Sequence, residues 1–158
     1  MKHSKWTLAV GIAMPLLVMP ATSAGAAEAP PYCMGIIGSS QSWCAETEAG
    51  LAAIRSTVLG ARSALASTRL VDLYDAADRT GSYYSLYGTA CDTNADVDGS
   101  YALPSAWNDR ISSFQGFGNC ETKLYQNGDF TGSTYGPVFA TDYVGATMND
   151  EASSLRVY

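Results

Sequence analysis

Apolar residues are arranged in three different ways along this 158-residue chain. Residues 6–19, WTLAVGIAMPLLVM, form a nearly unbroken apolar run, with Lys2 and Lys5 before it and the small residues ATSAGAA at 21–27. The order basic, apolar, small predicts a secretory signal over 1–26, cut near Ala24-Gly25-Ala26. A membrane anchor is the alternative reading, but 14 residues fall short of the ~20 that span a bilayer, and Pro15 interrupts the run. The second arrangement lies in 45–66, where Leu51, Ile54, Val58, Ala61 and Leu65 recur at spacings of three and four. That stripe predicts a helix with one apolar face. Glu46 and Glu48 near its start and Arg55 and Arg62 further on suit the helix dipole, while Gly50 and Gly60 weaken the element. Its apolar face predicts packing on the main domain; a pro-segment or a partner-docking helix is the sharper alternative. Residues 28–44, rich in Pro, Gly and Ser, read as a loop.

From Arg69 onward the pattern changes again, to short apolar runs separated by Tyr, Gly, Ser and Asp, which predicts many short strands and tight turns. This region repeats itself. LYDAADRTGS at 73–82 aligns without gaps to LYQNGDFTGS at 124–133. NDRISSF at 108–114 and NDEASSL at 149–155 share Asn-Asp, two variable residues, Ser-Ser and a large apolar residue. The hairpin and the polar hexad occur in the same order twice, so the unit is duplicated: 69–117 and 121–158. From Tyr74 to Asn108 is 34 positions and from Tyr125 to Asn149 is 24, which places a ten-residue insertion in the first copy, within GTACDTNADVDGSYALP at 88–104. One antiparallel unit of four strands leaves its apolar face wet; two can bury it together.

Charge and special residues narrow the chemistry. The whole chain carries −6; without Lys2 and Lys5 it has seven basic against fifteen acidic residues, or −8. No basic cluster is left for nucleic acid or an anionic lipid surface, and divalent cations become the natural partners, solubility being the plainer reason for the surplus. The lone histidine, His3, falls within the signal region. The remainder therefore has no Ser-His-Asp or Cys-His pair and no HExxH site, and nothing singles out two of its carboxylates as a catalytic pair. Binding, not catalysis, is the expectation. Cys33, Cys44, Cys91 and Cys120 make an even count in an exported chain, which reads as two disulfides. Three pairings are open, and Cys33 with Cys44 and Cys91 with Cys120 is preferred because each pair stays within its own region. A zinc site is the rival, but there is no CxxC and no histidine to complete one.

The duplicated pattern, Tyr-x4-aromatic-x-Gly followed by [Asn/Asp][Asn/Asp]-x-x-[Ser/Thr]-Ser, resembles the Greek-key motif of the βγ-crystallin family. Tyr125, Phe130 and Gly132 with Asn149, Asp150, Ser153 and Ser154 fit throughout. Tyr74 and Gly81 with Asn108, Asp109, Ser112 and Ser113 fit except that Arg79 stands where the aromatic is expected; Tyr83 or Tyr84 would then substitute. The resemblance covers 69–158 and leaves 27–68 unexplained. It implies a mainly β protein: a two-Greek-key β-sandwich of βγ-crystallin type, here with an N-terminal helical extension. It also implies a paired calcium site where the hexads meet, each ion held by groups from both. The residue types agree, because calcium takes six to eight oxygens. Each hexad offers a carboxylate (Asp109, Asp150), a turn carbonyl (Arg110, Glu151) and a hydroxyl (Ser112, Ser153), with Asn108 and Asn149 shaping the turn. Without metal, the same residues read as turn and strand-start chemistry.

DTNADVDGSYAL at 92–103 imitates the front of an EF-hand, with Asn94, Asp96, Asp98 and Gly99 in place. It lacks Asp at the first position, has Ser105 where the twelfth requires Glu, and reads as a solvated acidic loop. A secreted, disulfide-bonded chain with this motif is also similar to small bacterial metalloproteinase inhibitors. That resemblance implies an extracellular protease as partner, met through the inserted loop: Asp92, Asn94, Asp96, Asp98 and Tyr101. A non-inhibitory calcium-binding structural or envelope protein and a secreted toxin on the same scaffold are the alternatives.

Overall fold

The computed structural model of the chain describes residues 31–61 and 68–158. The expected signal at 1–26 and the end of the helical stripe at Arg62 and Leu65 lie outside these residues. Among the described residues are ten strands and one α-helix. They begin with β1 (Tyr32–Ile36), β2 (Ser42–Ala45) and α1 (Glu48–Gly60). The first copy supplies β3 (Thr68–Tyr74), β4 (Tyr83–Gly88), β5 (Gly99–Ala102) and β6 (Ser113–Gly116). The second supplies β7 (Thr122–Tyr125), β8 (Thr134–Val138), β9 (Ala140–Thr141) and β10 (Ser154–Val157).

The duplication is visible in the topology. One sheet has the order β2-β1-β4-β3-β6-β9 and the other β5-β10-β7-β8. Each contains one copy's hairpin, that copy's last strand, and the third strand of the other copy. Neither copy completes a sheet alone, so the two fold as one sandwich. Both hairpins carry a register shift, at Arg69/Val71 in β3 and, two positions further along the aligned repeat, at Thr122/Leu124 in β7. The expected insertion is the loop 89–98 between β4 and β5; the second copy has only Phe139 between β8 and β9.

Inward-facing residues of both sheets form one core: Leu73, Tyr84, Leu86 and Phe114 from one, Leu124, Leu155 and Val157 from the other, with Trp107 and Ile111 beneath the first hexad. Removing such side chains from water contributes about 1.5–3 kcal/mol each. The sheets also share a buried polar contact. The hydroxyls of Tyr84 and Tyr101 lie 2.7 Å apart, and burial pushes both phenols above their ordinary range. Gly35 is needed beside them, since a Cβ there would sit 2.4 Å from the Tyr101 hydroxyl. Tyr101 is therefore a core residue, 6 % exposed, and its expected place on a contact loop is corrected.

The expectation of a loop over 28–44 is also corrected. These residues include β1 and the start of β2, an antiparallel hairpin stapled by Cys33–Cys44. β1 then pairs in parallel with β4, from Tyr32↔Tyr83 to Ile36↔Tyr87. Met34 and Ile36 on its outward face join Leu51 of α1 and Tyr87, with Ile54, Val58 and Leu59 packed around them. The helical stripe does face a core, but a small second one, outside the sandwich. α1 starts at the Thr47 cap, whose hydroxyl accepts the Gly50 N–H at 3.0 Å, and so is shorter than 45–66. The second bridge is Cys91–Cys120, which ties the inserted loop to the segment entering β7. No free cysteine occurs among the described residues, and the preferred pairing is the one formed.

Candidate metal centre

Each hexad begins on a single helical turn. The N–H groups of Trp107 and Asn108 donate to the Pro104 carbonyl at 2.8 and 3.0 Å, and those of Met148 and Asn149 to the Gly145 carbonyl at 3.1 and 2.9 Å. Asp109 and Asp150 then turn the chain with φ of 56° and 58°, a left-handed conformation that Asp and Asn tolerate best after glycine. The Asn side chains serve the turn, as expected: the Asn108 amide donates to its neighbour's carboxylate, and Asn149 Nδ2 does so to Asp150 Oδ2 at 2.6 Å.

The hexads lie against each other. The Asp109 N–H donates to the Ala152 carbonyl at 3.1 Å, and the Asp150 N–H donates to the Ile111 carbonyl at 3.2 Å. The Ser153 hydroxyl makes a long contact of 3.4 Å to Asp109 Oδ1, across 44 residues of sequence. All eight residues expected to line the centre thus lie on two turns joined by reciprocal backbone bonds. Asp109, Asp150 and Glu151 are exposed, Asn108, Asn149, Arg110 and Ser153 half-buried, and Ser112 buried.

The two Ser-Ser pairs divide their work. Ser112 and Ser153 donate their N–H groups to Tyr74 and Tyr125 carbonyls at 2.8 and 3.0 Å. The Ser112 hydroxyl donates to the Asp75 carbonyl at 3.2 Å, so two oxygens already sit together there. The following serines are structural. Ser113 and Ser154 are fully buried, and each donates its hydroxyl at 2.6 Å to the arch of its own hairpin, at the Ala76 and Asn127 carbonyls. Ser154→Ala should accordingly lower stability by about 1–2 kcal/mol, the cost of a lost buried hydrogen bond, with the calcium response retained; urea unfolding with and without calcium measures both.

Two residues that the motif did not single out complete the surroundings. Asp75 and Gln126 follow the hairpin tyrosines at aligned positions, so the repeat itself marked them. Asp75 Oδ2 pairs with the Arg110 guanidinium at 2.8 Å. That guanidinium also donates to the Ala106 carbonyl at 3.0 Å and lies 4.5 Å over the Trp107 ring. In the second copy Gln126 Nε2 donates to Glu151 at 3.3 Å instead. The first-hairpin side therefore holds an internally neutralised pair, and the second side keeps an acid facing a neutral amide. Among the described residues no three His, Cys, Asp or Glu side chains gather as a metal cluster. A cation here would rely on carbonyl and hydroxyl oxygens besides carboxylates, which is a calcium-type donor set.

The hairpins differ at the departure noted in the first motif. Phe130 meets Tyr125 edge-on at 6.1 Å. Arg79 turns away to Asp142 and Gln115, and Tyr83 packs on Tyr74 at 6.1 Å in its stead.

No protein-family model matches the chain, and no curated protein matches it. Solved structures do. A double mutant of clostrillin in complex with nickel is 25% identical, with a TM-score of 0.46, over 58% of this chain and 99% of that one. A double mutant of a βγ-crystallin domain from Clostridium beijerinckii is 28% identical, with a TM-score of 0.45, over 58% and 98%. A βγ-crystallin domain from Flavobacterium johnsoniae is 25% identical, with a TM-score of 0.43, over 56% and 93%.

The remaining expected site residues lie in the inserted loop. Asp92, Asn94 and Asp96 are exposed and Asp98 half-buried. Their side chains cap the loop's own backbone: Asp92 accepts the Asn94 N–H at 2.8 Å, Asn94 the Asp96 N–H at 2.7 Å, and Asp98 the Asp92 N–H at 3.2 Å. The EF-hand resemblance of this stretch ends there, since the loop is followed by strand β5 and not by a helix. Among the described residues no helix is long and apolar enough to cross a membrane.

Proposed function

We propose that this protein is a secreted calcium-binding protein of the Greek-key β-sandwich type, with the ions held at the junction of the two hexads. The observation that carries this reading is the reciprocal pair of bonds, Asp109 to Ala152 and Asp150 to Ile111, which brings both oxygen-rich turns into one place. Asp109, Asp150, Ser112 and Ser153 would supply side-chain oxygens, and Arg110 and Glu151 their carbonyls. The two disulfides support an exported protein. The charge asymmetry makes the two positions unequal: the side bearing Glu151 and Gln126 is the stronger, and the side where Arg110 neutralises Asp75 the weaker. Calorimetric titration of the oxidised chain with calcium tests this. Two binding events of different affinity are expected, converging when Arg110 is changed to Glu; the absence of any saturable heat defeats the reading.

A protease-inhibitory role is the finer reading, with an extracellular metalloproteinase as the partner. What favours it is the construction of the loop 89–98: exposed, tethered by Cys91–Cys120 and braced from within by Asp92, Asn94 and Asp98. A loop already ordered loses less conformational entropy on binding. Sub-micromolar inhibition of at least one secreted metalloproteinase is expected, weakened when Asp92–Asp98 is shortened. Unchanged inhibition after shortening would place the contact elsewhere, and none across a broad panel leaves a calcium-binding structural protein.

A further inference from the structure

Where the second hairpin carries Phe130 the first carries Arg79, and a cavity lies between this first hairpin and α1. We propose that this cavity, between α1 and the first hairpin, is a binding site for a small organic oxyanion, a phosphate ester or carboxylate carried on a ring or short chain. It has a volume of about 500 Å³, and Arg55, Arg69, Arg79, Tyr74, Tyr83 and Glu48 line it. That is room for a ligand of sugar-phosphate or aromatic-acid size.

The charge is concentrated here against the trend of the molecule. Of the six basic residues among those described, three line this cavity, in a chain of net charge −6. Two of them are held in place by acids behind them. Arg69 binds Asp72 through Nε and Nη2, and Arg79 binds Asp142 at 2.8 Å. Asp72, 1 % exposed, is fully engaged by Arg69, Ser85 and Tyr74 and keeps its carboxylate out of the cavity. These pairs offset the two charges but fix the guanidinium planes and leave N–H groups over, because an Arg has five donors. Arg55 is different. Among the described residues it meets no carboxylate within ion-pair distance, and its one hydrogen bond is a long 3.4 Å to the Tyr87 hydroxyl. Its charge is the uncompensated one. Tyr83, edge-on to Tyr32 and tilted against Tyr74, gives the cavity an aromatic wall and a hydroxyl. Glu48 also lines the cavity and offers an acceptor to a ligand hydroxyl, while the Tyr74 and Tyr83 rings favour an organic anion over an inorganic one.

The comparison between copies is the independent support. In the second copy Phe130 meets Tyr125 edge-on and the Arg156 guanidinium lies 5.0 Å over the Phe130 ring, so side chains of the protein itself pack together at the equivalent position. In the first copy Gln115 stands at the position of Arg156, and it and Asp142 draw Arg79 aside. Helix α1 has no counterpart in the second copy, and its Arg55 points to the space so opened.

Titration of the oxidised chain with phenyl phosphate, benzoate and inorganic phosphate, in chelator so that the hexads take no part, tests the proposal. Saturable binding of phenyl phosphate or benzoate is expected, tighter than inorganic phosphate, with shifts of the Tyr83 ring resonances in NMR. Arg55→Gln, at an exposed helical position, should weaken it about tenfold, the loss of one charge-assisted contact, with the melting midpoint as the check on the fold. Arg156→Gln on the other sheet should not. A preference for phenyl phosphate assigns phosphate esters, and one for benzoate assigns carboxylates. No saturation by any of the three, or equal affinity in the Arg55 variant, overturns the proposal.

Discussion

Calcium is expected to raise the melting midpoint of the oxidised protein by on the order of 5 to 10 °C over the same protein in chelator, the largest effect expected of the hexads. It follows from linkage. A ligand that binds the folded chain alone stabilises it by about 2.7 kcal/mol for one site at one hundred times its dissociation constant. The unfolded chain cannot compete, because the two turns are 41 positions apart in sequence and meet only through β-sandwich closure. Magnesium should do less, since it demands a tight octahedral shell that two turns of carbonyls and hydroxyls do not present. Asp109→Asn and Asp150→Asn are the informative variants. Both positions have left-handed φ, 56° and 58°, where Asn is tolerated and Ala would add strain of its own. Each change should weaken both ions, because each turn is bonded to the other, and the double change should abolish the response. Equal midpoints in calcium and in chelator would leave the hexads as turn chemistry.

Gly116→Ala is expected to cost about 3 kcal/mol or more, far beyond an ordinary glycine replacement. A Cβ at Gly116 would lie 2.3 Å from the Cys120 carbonyl oxygen and 2.7 Å from that of Phe139. Both are backbone atoms, so no side chain can rotate away. One belongs to the residue bridged to Cys91, and the other accepts the Gly116 N–H at 2.7 Å where the chain passes from β8 to β9. Three segments cross at this point, and the added methyl must separate at least two. Gly60→Ala is the control: it closes α1, has nothing within 4 Å of its Cβ, and should be neutral or stabilise by a few tenths of a kcal/mol. Thermal or urea unfolding of the two variants compares them directly. A Gly116→Ala protein as stable as the parent would mean that the crossing is looser than these distances require.

Much of the site was legible because its chemistry is local. A left-handed Asp preceded by Asn and followed by Ser-Ser can be recognised from six residues, and its recurrence beside a matching hairpin marked both turns at once. The cysteine pairing was legible for a similar reason, each bridge closing within one region. Asp75 and Gln126 were within reach too, at aligned positions after Tyr74 and Tyr125, but only the fold shows that Arg110 turns to one and Glu151 to the other. Composition misled at the N-terminal segment, where Pro, Gly and Ser content pointed to a loop. Residues 28–44 hold short apolar stretches among Gly and Ser, and nothing local says that β1 will find a free sheet edge beside β4. Once it does, both faces of that strand are covered, by the sandwich and by α1. Tyr101 was misplaced likewise: it follows an acidic loop in sequence, but β5 is exchanged into the other sheet, which carries its ring to Tyr84 in the core.

The sequence by itself determined the duplicated unit, the turn chemistry of each hexad and the amphipathic helix, because each is written in short local patterns, and it favoured the two bridges that form. The tertiary structure decided which strands exchange between the copies, that the hexads face each other, and that three arginines distant in sequence line one cavity beside α1. Those depend on which edges and faces are left uncovered when the local pieces close on one core, and that is a property of the whole chain.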